Sequence, residues 1–490
     1  MKIFMVSSEA APFSKTGGLA DVLHGLPAAL AQRGHEVAVF SPLHRVVRQT
    51  DSRLAMRDEM LAITLGAQKI SARFHETVAS GVRHVFLEQD GFFNRDFLYS
   101  TPDGDYPDNA DRFVFFSRAA MEFCRETGIR PDVLHAHDWQ SALVPVYLKT
   151  LYRGDAAFEN AASVLTVHNL GYQGIFPPGV ISLAGLPFER MFTMEALEFY
   201  GKANLLKGGI VFADVINTVS PRYAREIQTE QFGYGLDGVL RTRRDALFGI
   251  LNGVGYSAWN PTTDPHLAAN YSPVNPANKI ACKRDLLQTF GLPMDLAQRP
   301  LFGIVSRLDK QKGLDLLAEA LPILLRKKVG FVLLGTGSRD LQETYQAIGE
   351  KYPDKAGVRI GFDEPLAHKI EAGADLFLMP SKYEPCGLNQ MYSLKYGTIP
   401  LVRATGGLDD TVQDWNGRAG TGNGFKFGPY LPEALLFACD KAIKTYRNKK
   451  QWTALMANAF ACDHSWSAAA SEYETLYKTA AKRLARYRDR

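Results

Sequence analysis

Ile3-Phe4-Met5-Val6 followed by Lys15-Thr16-Gly17-Gly18-Leu19 and the run Asp21 to Arg33 decides the fold of this chain. The first piece is a short apolar strand. The last carries Val22, Leu23, Leu26, Ala29 and Leu30 on one helical face and stops at Gly34. Between them, a lysine and two glycines occupy a strand-to-helix turn. Such a turn suits an anion: glycines allow close backbone approach, helix N-terminal amides point outward, and the ammonium adds full charge. Lys15, Gly17, Gly18 and Asp21 are therefore candidate ligand-binding residues. Neither GxGxxG nor GxxxxGK[ST] is present, so the turn is neither a dinucleotide fingerprint nor a P-loop.

The same alternation of strand and helix continues. Glu36 to Phe40, Asp132 to His135 and Ser163 to Val167 read as strands. It restarts with Leu301 to Val305, a helix from Gly313 to Lys327, and strands at Phe331 to Leu334, Gly357 to Ile360, Asp375 to Met379 and Ile399 to Val402. The pattern predicts α/β architecture: two Rossmann-like, doubly wound domains with parallel sheets, facing across a cleft. The expected limits are 1–255 for the first, 256–460 for the second, and 461–490 for a helical tail crossing back to the first. Gly, Asn, Pro and Tyr concentrate between Asn252 and Asn278, the expected hinge.

Bulk properties narrow the class. With 490 residues at 46% hydrophobic content, two large cores are affordable. A net charge of +4 is too small a bias to argue for nucleic acid or a membrane surface. Five scattered cysteines without CxxC predict a reducing, cytoplasmic setting rather than a disulfide framework.

Ligands of such folds sit at the carboxyl ends of strands. In the first half those ends carry the Lys15 turn, His135-Ala-His-Asp138 and His168. Two histidines and an aspartate are thin content for a metal, and none is expected, nor any other cofactor. In the second half they carry Arg307, Lys312, Glu384 and Thr405-Gly406-Gly407. Arg307 and Lys312 suit a diphosphate, a planar fork beside a point charge. Glu384 suits sugar hydroxyls or a positive reacting carbon. Cys386 is expected to be a packed thiol. Thr405-Gly-Gly407 echoes the first turn as a second possible nest of amides. Cations and glycine turns for a diphosphate, with a carboxylate and a histidine for a sugar, suggest a nucleotide-sugar transferase.

At these residues the chain resembles bacterial glycogen synthases and plant starch synthases over nearly its whole length. The resemblance rests on Lys15-Thr-Gly-Gly-Leu-Ala-Asp21, Asp105-Tyr-Pro-Asp-Asn109, His135-Ala-His-Asp-Trp-Gln140, Thr166-Val-His-Asn-Leu-Gly-Tyr-Gln-Gly174, Asn217 to Glu226, Gly249-Ile-Leu-Asn-Gly253, Gln311-Lys-Gly313, Glu384-Pro-Cys-Gly-Leu-Asn-Gln390 and Thr405-Gly-Gly-Leu408. It implies a glycosyltransferase B fold, with the acceptor on the first domain and the donor on the second. It implies ADP-glucose as donor, glycogen or a malto-oligosaccharide as acceptor, and an α-1,4 bond made at the non-reducing end with retention. Glu384, His168, Arg307 and Lys312 are then the catalytic set. Lys15, Gly17, Gly18, Asp21, Tyr106, Asp138, Asn252, Thr405, Gly406 and Gly407 are the binding set. Where this family usually has Asp, the chain has Gly255. Rival readings are a dinucleotide oxidoreductase, which the missing GxGxxG opposes, a catalytically silent glucan-binding scaffold, and another two-domain glycosyltransferase of sucrose or trehalose type.

Overall fold

The apolar residues of the first strand are buried on both faces, and this places Lys2–Val6 in the middle of a sheet. The computed structural model describes residues 1–50, 54–101 and 103–488. Residues 51–53 and 102 of the expected first domain, and 489–490 of the expected tail, lie outside them. The described chain forms two compact units, Met1–Gly253 with Trp466–Arg490, and Val254–Ser465.

The main sheet of the first unit runs Leu247–Gly249, Val215–Thr218, Ala162–Val167, Val133–His137, Lys2–Val6, Glu36–Pro42, Val82–Glu88, Gln68–Ala79, Ala55–Met56, with Leu61–Leu65 also pairing Gln68–Ala79. The strands from Leu247–Gly249 to Val82–Glu88 are parallel; Gln68–Ala79 pairs both of its neighbours and Val82–Glu88 antiparallel. That antiparallel edge departs from the expected uninterrupted strand–helix alternation. Its physical basis is local: Ser80 and Gly81, both at positive φ, turn the chain back within two residues.

Lys2–Val6 pairs with Glu36–Pro42 on one side and Val133–His137 on the other. The chain order reverses there, so this is the switch point of the sheet. The helix Gly18–Gln32 buries the five apolar residues of its predicted face, and Gly34 ends it at φ +87°. A long C-terminal helix, Trp466–Arg488, lies against this helix and the sheet, burying Trp466, Tyr473, Leu476, Tyr477 and Ala480.

The second unit has a six-stranded parallel sheet: Ala356–Ile360, Gly330–Gly335, Leu301–Val305, Leu376–Met379, Ile399–Arg403, Phe425–Phe427. Its switch point is Leu301–Val305, flanked by the second and fourth of its strands in chain order.

Much of the Gly/Asn/Pro-rich stretch expected to be a hinge is pinned to the second unit. Trp259 stacks on His368 at 3.7 Å and Tyr392 at 4.3 Å between ring centroids. Buried Asp264 accepts hydrogen bonds from His368 Nδ1 and the Tyr396 hydroxyl. The chain passes between the units at Gly253–Val254 and again at Ser465–Trp466. A Cβ at Gly255 would meet nothing within 4 Å, so packing does not demand a glycine there.

Candidate active site

In the second unit, both strands at the switch point end in polar residues. Ser306 and Arg307 follow Leu301–Val305, and Pro380 to Glu384 follow Leu376–Met379. A cavity of ≈ 130 Å³ opens between them, lined by Arg307, Lys312, Ser381, Gly387 and Asn389 among others. Lys312 Nζ donates to both oxygens of Glu384, at 2.9 and 2.7 Å, and Ser381 Oγ donates to Oε2 at 3.0 Å. Glu384 is almost fully buried. The ion pair and the serine offset the desolvation of its charge and fix the carboxylate in one orientation. Arg307 stays exposed, with Asp309 at 3.2 Å.

Glycines set the position of the Glu384 loop. Gly406, at φ +45°, brings its backbone so near that a Cβ would lie 1.9 Å from the Glu384 carbonyl oxygen. The Gly407 N–H donates to the carbonyls of Glu384 and Pro385. This amide is therefore engaged within the protein, and Gly407 also helps to hold the Glu384 loop. Thr405 is buried as well.

In the first unit, the amides of the Lys15 turn are also engaged, by an internal carboxyl. The Thr16 N–H donates to buried Glu9 at 2.5 Å, and the Gly17 N–H donates to the same carboxyl. Burial pushes the Glu9 pKa up against these amide bonds and those from the Tyr99 and Thr16 hydroxyls. Lys15 lies exposed, paired with Asp21 at 2.6 Å, and a Cβ on Gly17 would meet nothing within 4 Å.

His168 and Asp138 come together at the ends of neighbouring strands. Asp138 adopts φ +55° and accepts the His168 N–H at 2.7 Å, and the Asn169 N–H as well. Burial raises its pKa to about 7 in spite of those bonds. Positive φ at a non-glycine residue is strain that the surrounding structure must hold. The His168 ring is hydrogen-bonded to His137 Nδ1 at 3.0 Å. Tyr106 is half-buried between guanidiniums, with Arg95 at 4.7 Å and fully buried Arg112 at 5.1 Å from its ring. Asn252 is buried with Oδ1 unpartnered among the described residues. Sequence reasoning missed Glu9, Ser381 and the His137–His168 contact. Glu9 and Ser381 carry a readable signal, since each stands within three residues of a strand's carboxyl end.

Strand-end cations beside a held carboxylate, in one of two doubly wound units, define a two-domain nucleotide-sugar glycosyltransferase. Family models agree: residues 2–242 match the starch synthase catalytic domain and residues 296–455 match glycosyl transferases group 1. Glycogen synthase of Koribacter versatilis is 48% identical over 481 residues, covering 98% of each chain. Glycogen synthase 1 of Geobacter sulfurreducens is 48% identical, covering 97% of this chain and 96% of its own. Among solved structures, the catalytic domain of starch synthase IV from Arabidopsis thaliana, bound to ADP and acarbose, superposes with a TM-score of 0.90 at 32% identity, covering 98% of this chain and 99% of that one. Sucrose-phosphate synthase from Thermosynechococcus elongatus shares the fold, with a TM-score of 0.58 at 17% identity, covering 97% of this chain and 98% of that one. The chain belongs to the glycogen and starch synthase family. It is a glucosyltransferase that moves glucose from a nucleotide-sugar donor, whose nucleotide leaves, to a glucan acceptor.

Proposed function

We propose that the chain transfers glucose from ADP-glucose to the non-reducing end of an α-1,4-glucan, with retention, in the cytoplasm. The observation that carries this is the Lys312–Glu384–Ser381 cluster beside Arg307 at the switch point of the second unit. Family membership supports the glucan, and the ADP held by the Arabidopsis relative supports the base of the donor. All five cysteines are free thiols, which accords with a reducing compartment.

Arg307 and Lys312 grip the diphosphate. As the bond from the anomeric carbon to the phosphate oxygen breaks, negative charge grows on ADP, and fixed cations stabilise that state more than the ground state. Glu384 and His168 hold the glucose, Lys15 binds donor phosphate, and Tyr106, Asp138 and Asn252 serve binding. Glu384 is tied to Lys312, which suits it to holding positive charge near the anomeric carbon rather than to attacking it. We therefore assign a front-face route: the acceptor O4 attacks the side that ADP leaves, and its proton passes to the leaving phosphate oxygen. A trapped glucosyl adduct on a side chain would overturn this route.

The test of the whole reading offers labelled ADP-glucose and UDP-glucose, each with glycogen. Incorporation from ADP-glucose, released again by an enzyme specific for α-1,4 bonds, is expected. Preference for UDP-glucose would overturn the donor assignment, and no transfer from either would overturn the function.

A further inference from the structure

Among the described residues His137 engages one ring nitrogen of His168 and leaves the other without a protein partner. His137 Nδ1 and His168 Nε2 lie 3.0 Å apart and share a hydrogen bond. Their rings are inclined by 28°, with centroids 5.3 Å apart, and His135 packs against His137 at 4.1 Å. His137 is fully buried, and its Nε2 has no hydrogen-bond partner among the described residues. Burial depresses all three imidazoles, His135 and His168 to about 3, so each ring is neutral at pH 7 and carries one N–H.

The proton between His137 and His168 therefore belongs to one of two arrangements. If His168 donated from Nε2, His137 would carry its own proton on Nε2, leaving an N–H buried without an acceptor. If His137 donates from Nδ1, its Nε2 is only an empty lone pair. Orphaned buried N–H groups are rarer in folded proteins than acceptors left unsatisfied, and this favours the second arrangement. His168 must then bear its proton on Nδ1, the nitrogen that no protein group engages among the described residues.

From this geometry we infer that His137 is a positioning residue that fixes His168 as the Nδ1–H tautomer. His168 thus meets its ligand as a hydrogen-bond donor, suited to a sugar oxygen, and not as a base. The inference rests on the reading of His168 as a sugar-holding group, but the tautomer can be measured without any substrate. His135 anchors the arrangement from behind, since its Nδ1 bonds the Tyr477 hydroxyl at 3.0 Å and its Nε2 bonds Thr166 Oγ1 at 2.7 Å.

The experiment uses the full chain labelled with 15N-histidine, with long-range proton–nitrogen correlations assigning each ring. The His168 signals are identified by their loss in His168→Gln. Protonation of His168 at Nδ1 is expected, against the Nε2 form that free histidine favours; Nε2 protonation would overturn the inference. His137→Phe keeps the ring and removes the donor. It should move His168 to the other tautomer and lower kcat about tenfold, the worth of one hydrogen bond. His137→Asn returns an N–H near the Nδ1 position and should restore both. If His137→Asn is no better than His137→Phe, the role is structural and the inference fails. Were either variant unfolded, the spectrum of the unaltered chain would still decide the tautomer.

Discussion

Glu384 and Lys15 are both charged and both stand at strand ends, yet the structure treats them differently. Glu384 is buried, bonded to Lys312 and Ser381, and carried by a loop that leans on Gly406. Lys15 is exposed and, among the described residues, paired only with Asp21. Glu384→Gln should therefore lower kcat by ~100-fold or more with little change in donor KM, since fixed charge acts in the transition state. Lys15→Ala should mainly raise donor KM. Steady-state kinetics on ADP-glucose separates the two, and unchanged donor kinetics in Lys15→Ala would remove Lys15 from donor binding. The glycines divide in the same way. A methyl at Gly406 collides with the Glu384 carbonyl, so Gly406→Ala should cost about 2 kcal/mol or more and displace Glu384. Gly17→Ala meets open space and loses only the preference for glycine over alanine at this helix N-cap, so it should cost about 1 kcal/mol or less. Urea titration of the two variants checks this contrast. The pairing of Glu384 with Lys312 could not be seen in the sequence, where they stand far apart, but their places at strand ends could.

Among the elements, the helix Trp466–Arg488 packs against the first strand-helix unit. Trp466 packs over Gly25 so closely that a Cβ there would lie 1.9 Å from the indole nitrogen. Tyr473 and Tyr477 reach Asn217 and His135, at 3.1 and 3.0 Å between their bonded atoms. Trp466→Ala should cost about 3–5 kcal/mol, as a buried indole leaves a cavity that close-packed neighbours cannot fill. A denaturant midpoint equal to that of the unaltered chain would show that this helix carries little of the stability. The helix itself was legible from its apolar period. Its docking surface was not, because Gly25 reads as an ordinary small residue until Trp466 is placed above it. The antiparallel edge at residues 55–88 was hidden for a related reason: strand direction depends on partners, and period-two alternation is the same in both directions.

For the molecule as a whole, the buried histidines of the first unit should make it sensitive to acid. Burial holds His44 and His84 at about 4, His135 and His168 at about 3, and His137 well below its ordinary value. Below about 6.5 an unfolded chain binds protons at these five positions that the folded chain refuses. Their contribution is complete above that pH and is lost as pH falls toward 4, at no more than about 1.4 kcal/mol per histidine per pH unit. Glu9, Asp138 and Glu472, all raised by burial, act in the opposite sense, because they keep protons that an unfolded chain has released. Five histidines outweigh three carboxyls, so the stability of this unit should fall between pH 7 and 5. His84, whose ring packs against Phe13 at 4.8 Å, is the cleanest probe. His84→Phe should reduce the slope of stability against pH by one proton in thermal denaturation, and an unchanged slope would mean that His84 already titrates when folded.

Composition and periodicity by themselves determined two α/β units, the strands at their centres, and the charged residues waiting at strand ends. Those properties are local: burial on both faces demands continuous apolar strands, and parallel connections demand helices between them. Only the tertiary structure decided that Glu9 fills the amide turn beside Lys15, that Gly406 and Gly407 serve the Glu384 loop, and that His137 faces His168. Each of these depends on distances between residues remote in the chain. Desolvation and unpaired donors act over a few ångströms of space, and no spacing along the sequence records them.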